Sequence, residues 1–156
     1  MWERGRRFLG AGTAIMGGAM SWVSERTLVA AISNAGGFGV IACGSMGPDA
    51  LAAEIEATKR LTAAPFGVNL ITLHPRLDDL IEVCTRAGVG HIVLAGGVPQ
   101  ASAVRAVKDG GARLICFAPA LVLARRLVRS GADALIIEGS EAGGHIGPVS
   151  LTVLAQ

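Results

Sequence analysis

The feature that most constrains the fold is a series of short apolar runs separated by segments with helical spacing. The runs cover residues 38–43, 66–71, 91–94, 114–118 and 134–137. Their near-continuous apolarity is typical of strands that are buried on both faces of a parallel sheet. A further strand is predicted near residues 14–20. The alternation therefore predicts about six βα units.

The ends of the intervening segments support this prediction. Each of four predicted helices ends in a small residue followed by glycine, the usual signal for a C-cap, and these pairs are Ala35-Gly36, Ala87-Gly88, Gly110-Gly111 and Ser130-Gly131. Pro48 stands where a helix would begin, and Ser150 is predicted to start a last helix. The helices and strands are thus marked by local signals as well as by periodicity.

Alternating βα units leave two architectures open, an open doubly wound sheet and a (β/α)8 barrel. A dinucleotide-binding sheet needs its glycine cluster after a strand and before a helix. Here Gly36-Gly37-Phe38-Gly39 follows a helix and enters a strand. We therefore expect a TIM-type α/β barrel. A barrel needs about 250 residues, so residues 1–156 are interpreted as the N-terminal part of one domain, an incomplete barrel.

Composition excludes several classes of function. The charge is nearly balanced at +2 and aromatic residues make up 4% of the chain, which argues against nucleic-acid partners. The uncharged stretch 27–48 contains Asn34 and several glycines, so a membrane-spanning helix is not expected. The three cysteines form no CxxC pair and are predicted to be buried, reduced thiols in a cytoplasmic protein.

The functional edge of either architecture lies at the carboxyl ends of the strands. That edge is predicted to be rich in glycine and mostly neutral, which suits a flat, largely apolar ligand and offers no metal site. Asn69 is the only polar residue of its strand, and it has either a structural or a ligand-binding role.

The run 138–145, Glu-Gly-Ser-Glu-Ala-Gly-Gly-His, directly follows the last predicted strand. His145 is either a surface histidine or a group for proton transfer near neutral pH. Glu141 is either a solvated acid or an orienting group. His91 begins its strand at the end of the sheet opposite the functional edge, and we expect it to have a structural role. His74 precedes Pro75, and we expect it to lie where the next helix begins.

Four motifs carry a resemblance to a known family. They are Gly18-Ala19-Met20-Ser21-Trp22-Val23, Ser33-Asn34-Ala35-Gly36-Gly37-Phe38-Gly39-Val40-Ile41, Pro65-Phe66-Gly67-Val68-Asn69-Leu70, and Gly131-Ala132-Asp133-Ala134 continuing to Glu141-Ala142-Gly143-Gly144-His145-Ile146-Gly147. The sequence resembles the FMN-dependent nitronate monooxygenases, also called 2-nitropropane dioxygenases. It is also similar to their relatives, the FMN-dependent enoyl-acyl-carrier-protein reductases. The resemblance implies a TIM-barrel flavoprotein that binds FMN.

The resemblance also implies a role for individual residues. The backbone of Gly18, Ala19 and Met20 packs against the flavin, and Asn69 hydrogen-bonds it. Glu141, Gly143 and Gly144 belong to the loop around the cofactor, and His145 is the catalytic residue. The implied reaction is the oxidation of alkyl nitronates or nitroalkanes with O₂ to a carbonyl compound and nitrite.

Two alternatives to this function stay open on sequence. One is an NAD(P)H-dependent FMN reductase that acts on an enoyl thioester or a quinone. The other is a non-catalytic, truncated barrel fragment. The site for the FMN phosphate is expected in C-terminal βα units that follow these six. We therefore expect the 156-residue chain alone to bind FMN weakly or not at all, and to aggregate or self-associate through exposed barrel edges.

Overall fold

The computed structural model describes residues 2–155, in which helices and strands alternate after two initial helices. The strands are β1 Gly39–Ala42, β2 Phe66–Ile71, β3 His91–Ala95, β4 Arg113–Phe117 and β5 Ala134–Ile136. The helices are α1 Glu3–Leu9, α2 Arg26–Asn34, α3 Pro48–Leu61, α4 Leu77–Arg86, α5 Ala101–Asp109, α6 Leu121–Ser130 and α7 Leu151–Leu154. No helix within residues 2–155 is both long and apolar enough to cross a membrane.

The strands form one parallel sheet in the order β1-β2-β3-β4-β5. Each strand lies beside its predecessor in sequence, so the described strands show no point at which the order reverses. A doubly wound sheet has such a reversal. Of the two architectures that the sequence left open, the structure therefore lacks the signature of the doubly wound one and is an α/β fold with a sequentially ordered sheet.

One face of the sheet packs against the helices. Ile41, Val68, Ile92 and Leu114 point to this face, are fully buried and share a core with residues of α2 to α6. The glycines predicted as C-caps fit the chain reversals between helix and strand. Gly131, for example, ends α6 with a φ of 113°, a conformation that favours glycine.

The opposite face of the sheet carries a second, smaller core. Phe38, Val40, Val93 and Ile115 alternate with the helix-facing residues and pack together there. Phe8 and Leu9, at the end of α1, cover the amino-terminal end of this face together with Ala11. Helix α1 has no clear signal in the sequence, since this seven-residue helix is rich in arginine and shows no apolar period.

The predicted first strand is only partly present. In place of a strand over residues 14–20, the structure has a single parallel bridge between Met16 and Phe38. The Gly17 amide donates to the Phe38 carbonyl at 2.9 Å, and the Phe38 amide donates to the Ile15 carbonyl at 2.9 Å. Gly17 and Gly18 follow at once, and glycine weakens an extended strand. The sheet thus has five strands and a short bridged segment rather than six strands.

Candidate functional site

A cavity of about 1020 Å³ lies at the carboxyl edge of the sheet. Its floor consists of side chains from the second face of the sheet, namely Val40, Val93, Phe117 and Ile136. The strand ends above them carry small residues, Ala42 and Ala95 among others, and these leave the space open. The edge that the strand pattern singled out therefore holds a large, predominantly apolar cavity.

Asn69 is a buried polar side chain that lines this cavity. It lies in β2 between Ala42 and Val93 of the neighbouring strands and is 7% exposed. Within residues 2–155 no buried side-chain nitrogen or oxygen atom lacks a hydrogen-bond partner, and the Asn69 amide, which makes no hydrogen bond there, is accessible from the cavity. Because the amide faces the cavity, Asn69 offers both a donor and an acceptor to whatever fills it.

The loop that contains Gly18, Ala19 and Met20 forms one wall of the cavity. The buried Ser24 hydroxyl holds this wall, since its Oγ donates to the Gly18 carbonyl at 2.9 Å and accepts from the Met20 amide at 3.0 Å. A Cβ added to Gly18 would have no neighbour within 4 Å, so a ligand can approach the backbone there. Ser24 is not among the site residues predicted from the sequence, although a serine between a glycine loop and a helix is a familiar hydrogen-bonding signal.

The loop after β5 forms the opposite wall and contains Gly143, Gly144 and His145. It closes on itself, because the Ser140 amide donates to the Val149 carbonyl at 2.8 Å and the Gly147 amide donates to the Gly139 carbonyl at 3.1 Å. A Cβ at Gly147 would overlap the Glu138 carbonyl oxygen. The close approach of the two ends of this loop therefore requires glycine at position 147.

His145 is exposed at the rim of the cavity. Among the lining residues, Glu138 and His145 are the only ones with ionisable side chains, and the lining contains no lysine or arginine. The imidazole can therefore exchange a proton with a ligand in the cavity, where no fixed positive charge competes with it.

The structure brings together all but one of the residues that the sequence proposed for the site. Gly18, Ala19, Met20, Asn69, Gly143, Gly144 and His145 all line the cavity. Glu141 does not. Its carboxylate accepts a hydrogen bond from the Leu151 amide, at 3.0 Å to Oε2 and 3.3 Å to Oε1.

The other histidines and the cysteines named from the sequence lie away from the cavity or are buried. His91 is buried at the amino-terminal end, where its Nε2 lies 2.7 Å from the Phe8 carbonyl oxygen. Cys43, Cys84 and Cys116 are free and buried. Burial raises the pKa of the Cys43 and Cys116 thiols to about 11 and that of Cys84 to about 12, so none is a reactive thiolate near neutral pH. Residues 2–155 contain no His, Cys, Asp or Glu cluster suited to a metal.

Comparison with known proteins gives the family. The sequence profile of the nitronate monooxygenases matches residues 7–155. The chain belongs to the nitronate monooxygenase family. Most of its described length, including both walls of the cavity, falls inside the match.

Proteins that are similar to this chain carry the names of different enzymes. The chain is 39% identical over 135 residues to an octahydro-1H-indene-4-carboxyl-CoA dehydrogenase of Mycobacterium tuberculosis, covering 86% of this chain and 38% of that protein. It is 28% identical to a nitronate monooxygenase of Paraburkholderia phytofirmans, covering 89% of this chain and 48% of that protein. The structure of FabK from Thermotoga maritima superposes with a TM-score of 0.92 at 41% identity, covering 97% of this chain and 48% of FabK. The chain thus spans half or less of the length of these relatives.

Proposed function

We propose that this chain forms the flavin-facing part of an FMN-dependent oxidoreductase. The observation that carries the proposal is the cavity itself, which joins an apolar floor, an amide that faces the open space and an imidazole at one rim. Membership of the nitronate monooxygenase family supports it. The site residues predicted from the sequence, Glu141 excepted, all line this one cavity.

The residues present fit a flavin ring. A flat aromatic system has two apolar faces and a polar edge, and the cavity offers Val93 and Phe117 to a face and the Asn69 amide to an edge. Gly18 and Gly143, at which an added Cβ would meet nothing within 4 Å, let the backbone approach the ring. The phosphate of FMN would need donors from elsewhere, since no lysine or arginine lines the cavity.

We propose further that residues 1–156 are the N-terminal part of one (β/α)8 barrel domain. The sequential parallel order and the packing of α2 to α6 on one face of the sheet support this architecture. β5 is half-buried at every position, and α6 exposes Leu121, Val122 and Val128. Further βα units, or failing these a second copy of the chain, would cover that edge.

The first candidate reaction is the oxidation of alkyl nitronates or nitroalkanes with O₂ to a carbonyl compound and nitrite. Bound FMN would supply the capacity to accept two electrons from the substrate. His145 would remove the proton from the carbon that bears the nitro group of a neutral nitroalkane. An alkyl nitronate has already lost that proton, so His145 would only stabilise its negative charge.

A second candidate reaction, NAD(P)H-dependent reduction of an enoyl thioester, is favoured by one observation. The chain is 39% identical to the carboxyl-CoA dehydrogenase and 41% identical to FabK, but 28% identical to the nitronate monooxygenase. In this reaction His145 would exchange a proton with the acyl chain beside the thioester. A quinone in place of the thioester is a variant of the same candidate.

Flavin bleaching decides between the candidates. The chain is mixed anaerobically with excess FMN and then with an alkyl nitronate, with NADH or with NADPH, and the flavin absorbance is followed. Bleaching by nitronate alone supports the first reaction, and rapid bleaching by NADH or NADPH supports the second. Protein-bound FMN that bleaches with none of them would overturn both and leave the non-catalytic fragment.

The role of His145 has a separate test. Replacing His145 with alanine should lower turnover of a neutral nitroalkane by about a hundredfold or more, the usual contribution of a general base. Turnover of pre-formed nitronate should fall much less. His74→Ala is the matched control, because His74 lies outside the cavity and its Nδ1 accepts the Arg76 amide at 3.1 Å. Equal losses on both substrates would contradict a base role.

A further inference from the structure

The loop that carries His145 is closed by one of its own side chains. The Glu141 carboxylate accepts the Leu151 amide hydrogen bond at 3.0 Å and 3.3 Å through its two oxygens. This contact, which we name the clasp, joins residues ten positions apart. Gly143, Gly144 and His145 all lie inside the span that it closes. The clasp thus acts on the wall of the cavity that carries the imidazole.

The clasp depends on the absence of a side chain at Gly139. A Cβ at Gly139 would overlap both the Glu141 Oε2 atom and the Leu151 nitrogen. Gly139 is itself buried, and its carbonyl accepts the Ala142 and Gly147 amides at 3.1 Å each. Glycine at 139 therefore allows the carboxylate, the Leu151 amide and the base of the loop to meet at one point.

Without the clasp, the loop would be held by the backbone hydrogen bonds at its base alone and would be more mobile. It contains three glycines, at 143, 144 and 147, and glycine has the largest conformational freedom of any residue. Gly143, Gly144 and His145 are all exposed, so packing does little to hold them. A hydrogen bond from an amide to a carboxylate is among the stronger ones available to such a loop.

We propose that Glu141 is a positioning residue, which holds the His145 loop against the cavity through the clasp and does not itself contact the cofactor. The proposal rests on the function proposed above for His145. It assigns Glu141 differently from the family resemblance, which placed it among the cofactor-binding residues. The reason is geometric, because the carboxylate oxygens are engaged by Leu151 and Glu141 is absent from the cavity lining.

Hydrogen exchange on the full chain without flavin or substrate tests the clasp directly. Glu141→Ala should speed amide exchange in residues 141–151 by about three- to tenfold, because an exposed charge-assisted hydrogen bond is lost. Glu141→Gln should stay near the wild-type rate, since the amide oxygen of glutamine can still accept the Leu151 N–H. Glu82→Ala, which removes an exposed acid of α4, is the matched control and should leave the loop unchanged. No acceleration in Glu141→Ala would overturn the clasp.

A second variant disrupts the clasp without changing Glu141 or Leu151. Gly139→Ala would place a methyl group where the carboxylate sits, so it should speed exchange in the loop at least as much as Glu141→Ala. Normal exchange in Gly139→Ala would contradict the proposed geometry. Because exchange is read without a reaction, these outcomes stand whatever substrate the enzyme takes.

Kinetics with excess FMN then separates positioning from cofactor contact. Glu141→Ala should lower kcat on a neutral nitroalkane more than on pre-formed nitronate, as His145→Ala does, with KM for nitronate little changed. Glu141→Gln should restore kcat and leave the flavin spectrum as in the wild type. A Glu141→Gln variant as impaired as Glu141→Ala, with an altered flavin spectrum, would show that the charge acts on the cofactor and would overturn the proposal.

Discussion

The two ends of the parallel sheet are formed by the same strands but differ in packing, because one end is filled by side chains and the other opens into a cavity. At the amino-terminal end, Phe8 and Phe38 pack edge-on against the His91 ring, with ring centroids 5.3 Å and 4.8 Å apart. At the carboxyl end, the same face opens into a cavity of about 1020 Å³. One end is filled by aromatic side chains from distant parts of the chain, and the other is left empty by small ones.

The two histidines show what this difference means. His91 is 7% exposed and hydrogen-bonded to Phe8, so its ring is part of the packing. His145 is exposed on a glycine-rich loop at the cavity rim. The residue type is the same, and the surroundings determine the role. Stability is expected to be concentrated at the closed end and chemistry at the open end.

The largest expected effect comes from emptying the closed end. Phe38 is fully buried beside Gly67 and His91. Phe38→Ala should lower the free energy of unfolding by about 3–5 kcal/mol, because it removes a large apolar side chain and leaves a cavity. Met20→Ala, at the open end, should cost only about 0.5 kcal/mol, since Met20 is 50% exposed. Urea denaturation of both variants measures this, and similar losses would break the contrast between the two ends.

A smaller effect is expected at Asn69, where a substitution should weaken FMN binding and leave stability nearly unchanged. Asn69→Leu replaces an amide that faces the cavity and makes no hydrogen bond within the described residues, so stability should stay unchanged or rise slightly. FMN affinity should fall about tenfold with the loss of one hydrogen bond. Fluorescence titration with FMN and urea denaturation together test this pair of results.

Thr72 provides the control for Asn69. Its hydroxyl donates to the Ala95 carbonyl at 3.0 Å, and it does not line the cavity. Thr72→Val should therefore cost about 1 kcal/mol of stability and leave FMN affinity as it is. A stability loss in Asn69→Leu comparable to that of Thr72→Val would show that Asn69 is structural.

The smallest expected effect is a pH dependence at the closed end. Burial lowers the pKa of His91 below its usual value of 6.5, against the opposing influence of its hydrogen bond to Phe8. The folded state then binds fewer protons than the unfolded state, so stability is fully present above pH 6.5 and declines as the pH is lowered. Unfolding measured between pH 8 and 5.5 should show this decline, and His91→Gln should reduce it. An unchanged slope in His91→Gln would place the pH dependence elsewhere.

Most of the secondary structure could be predicted from the sequence because its signals are local. The apolar runs of β1 to β5, the helical spacing between them and the C-cap glycines each depend on a few neighbouring residues. The strand predicted over residues 14–20 is longer than the single bridge in the structure. An apolar run does not determine how many backbone hydrogen bonds form beside flanking glycines. The short helix α1 escaped prediction for a related reason, because its place depends on docking at the far end of the sheet.

The sequence by itself also determined which edge of the fold would carry the site. In parallel βα units the carboxyl strand ends lie together, so Asn69 and His145 were expected on one edge from their positions in the pattern. Only the tertiary structure decided how the edge is held. Ser24 supports the Gly18 wall, α1 closes the opposite end and Glu141 turns to Leu151 rather than to the cavity. These contacts depend on side-chain directions and on the packing of separate elements, which local periodicity and capping signals do not specify.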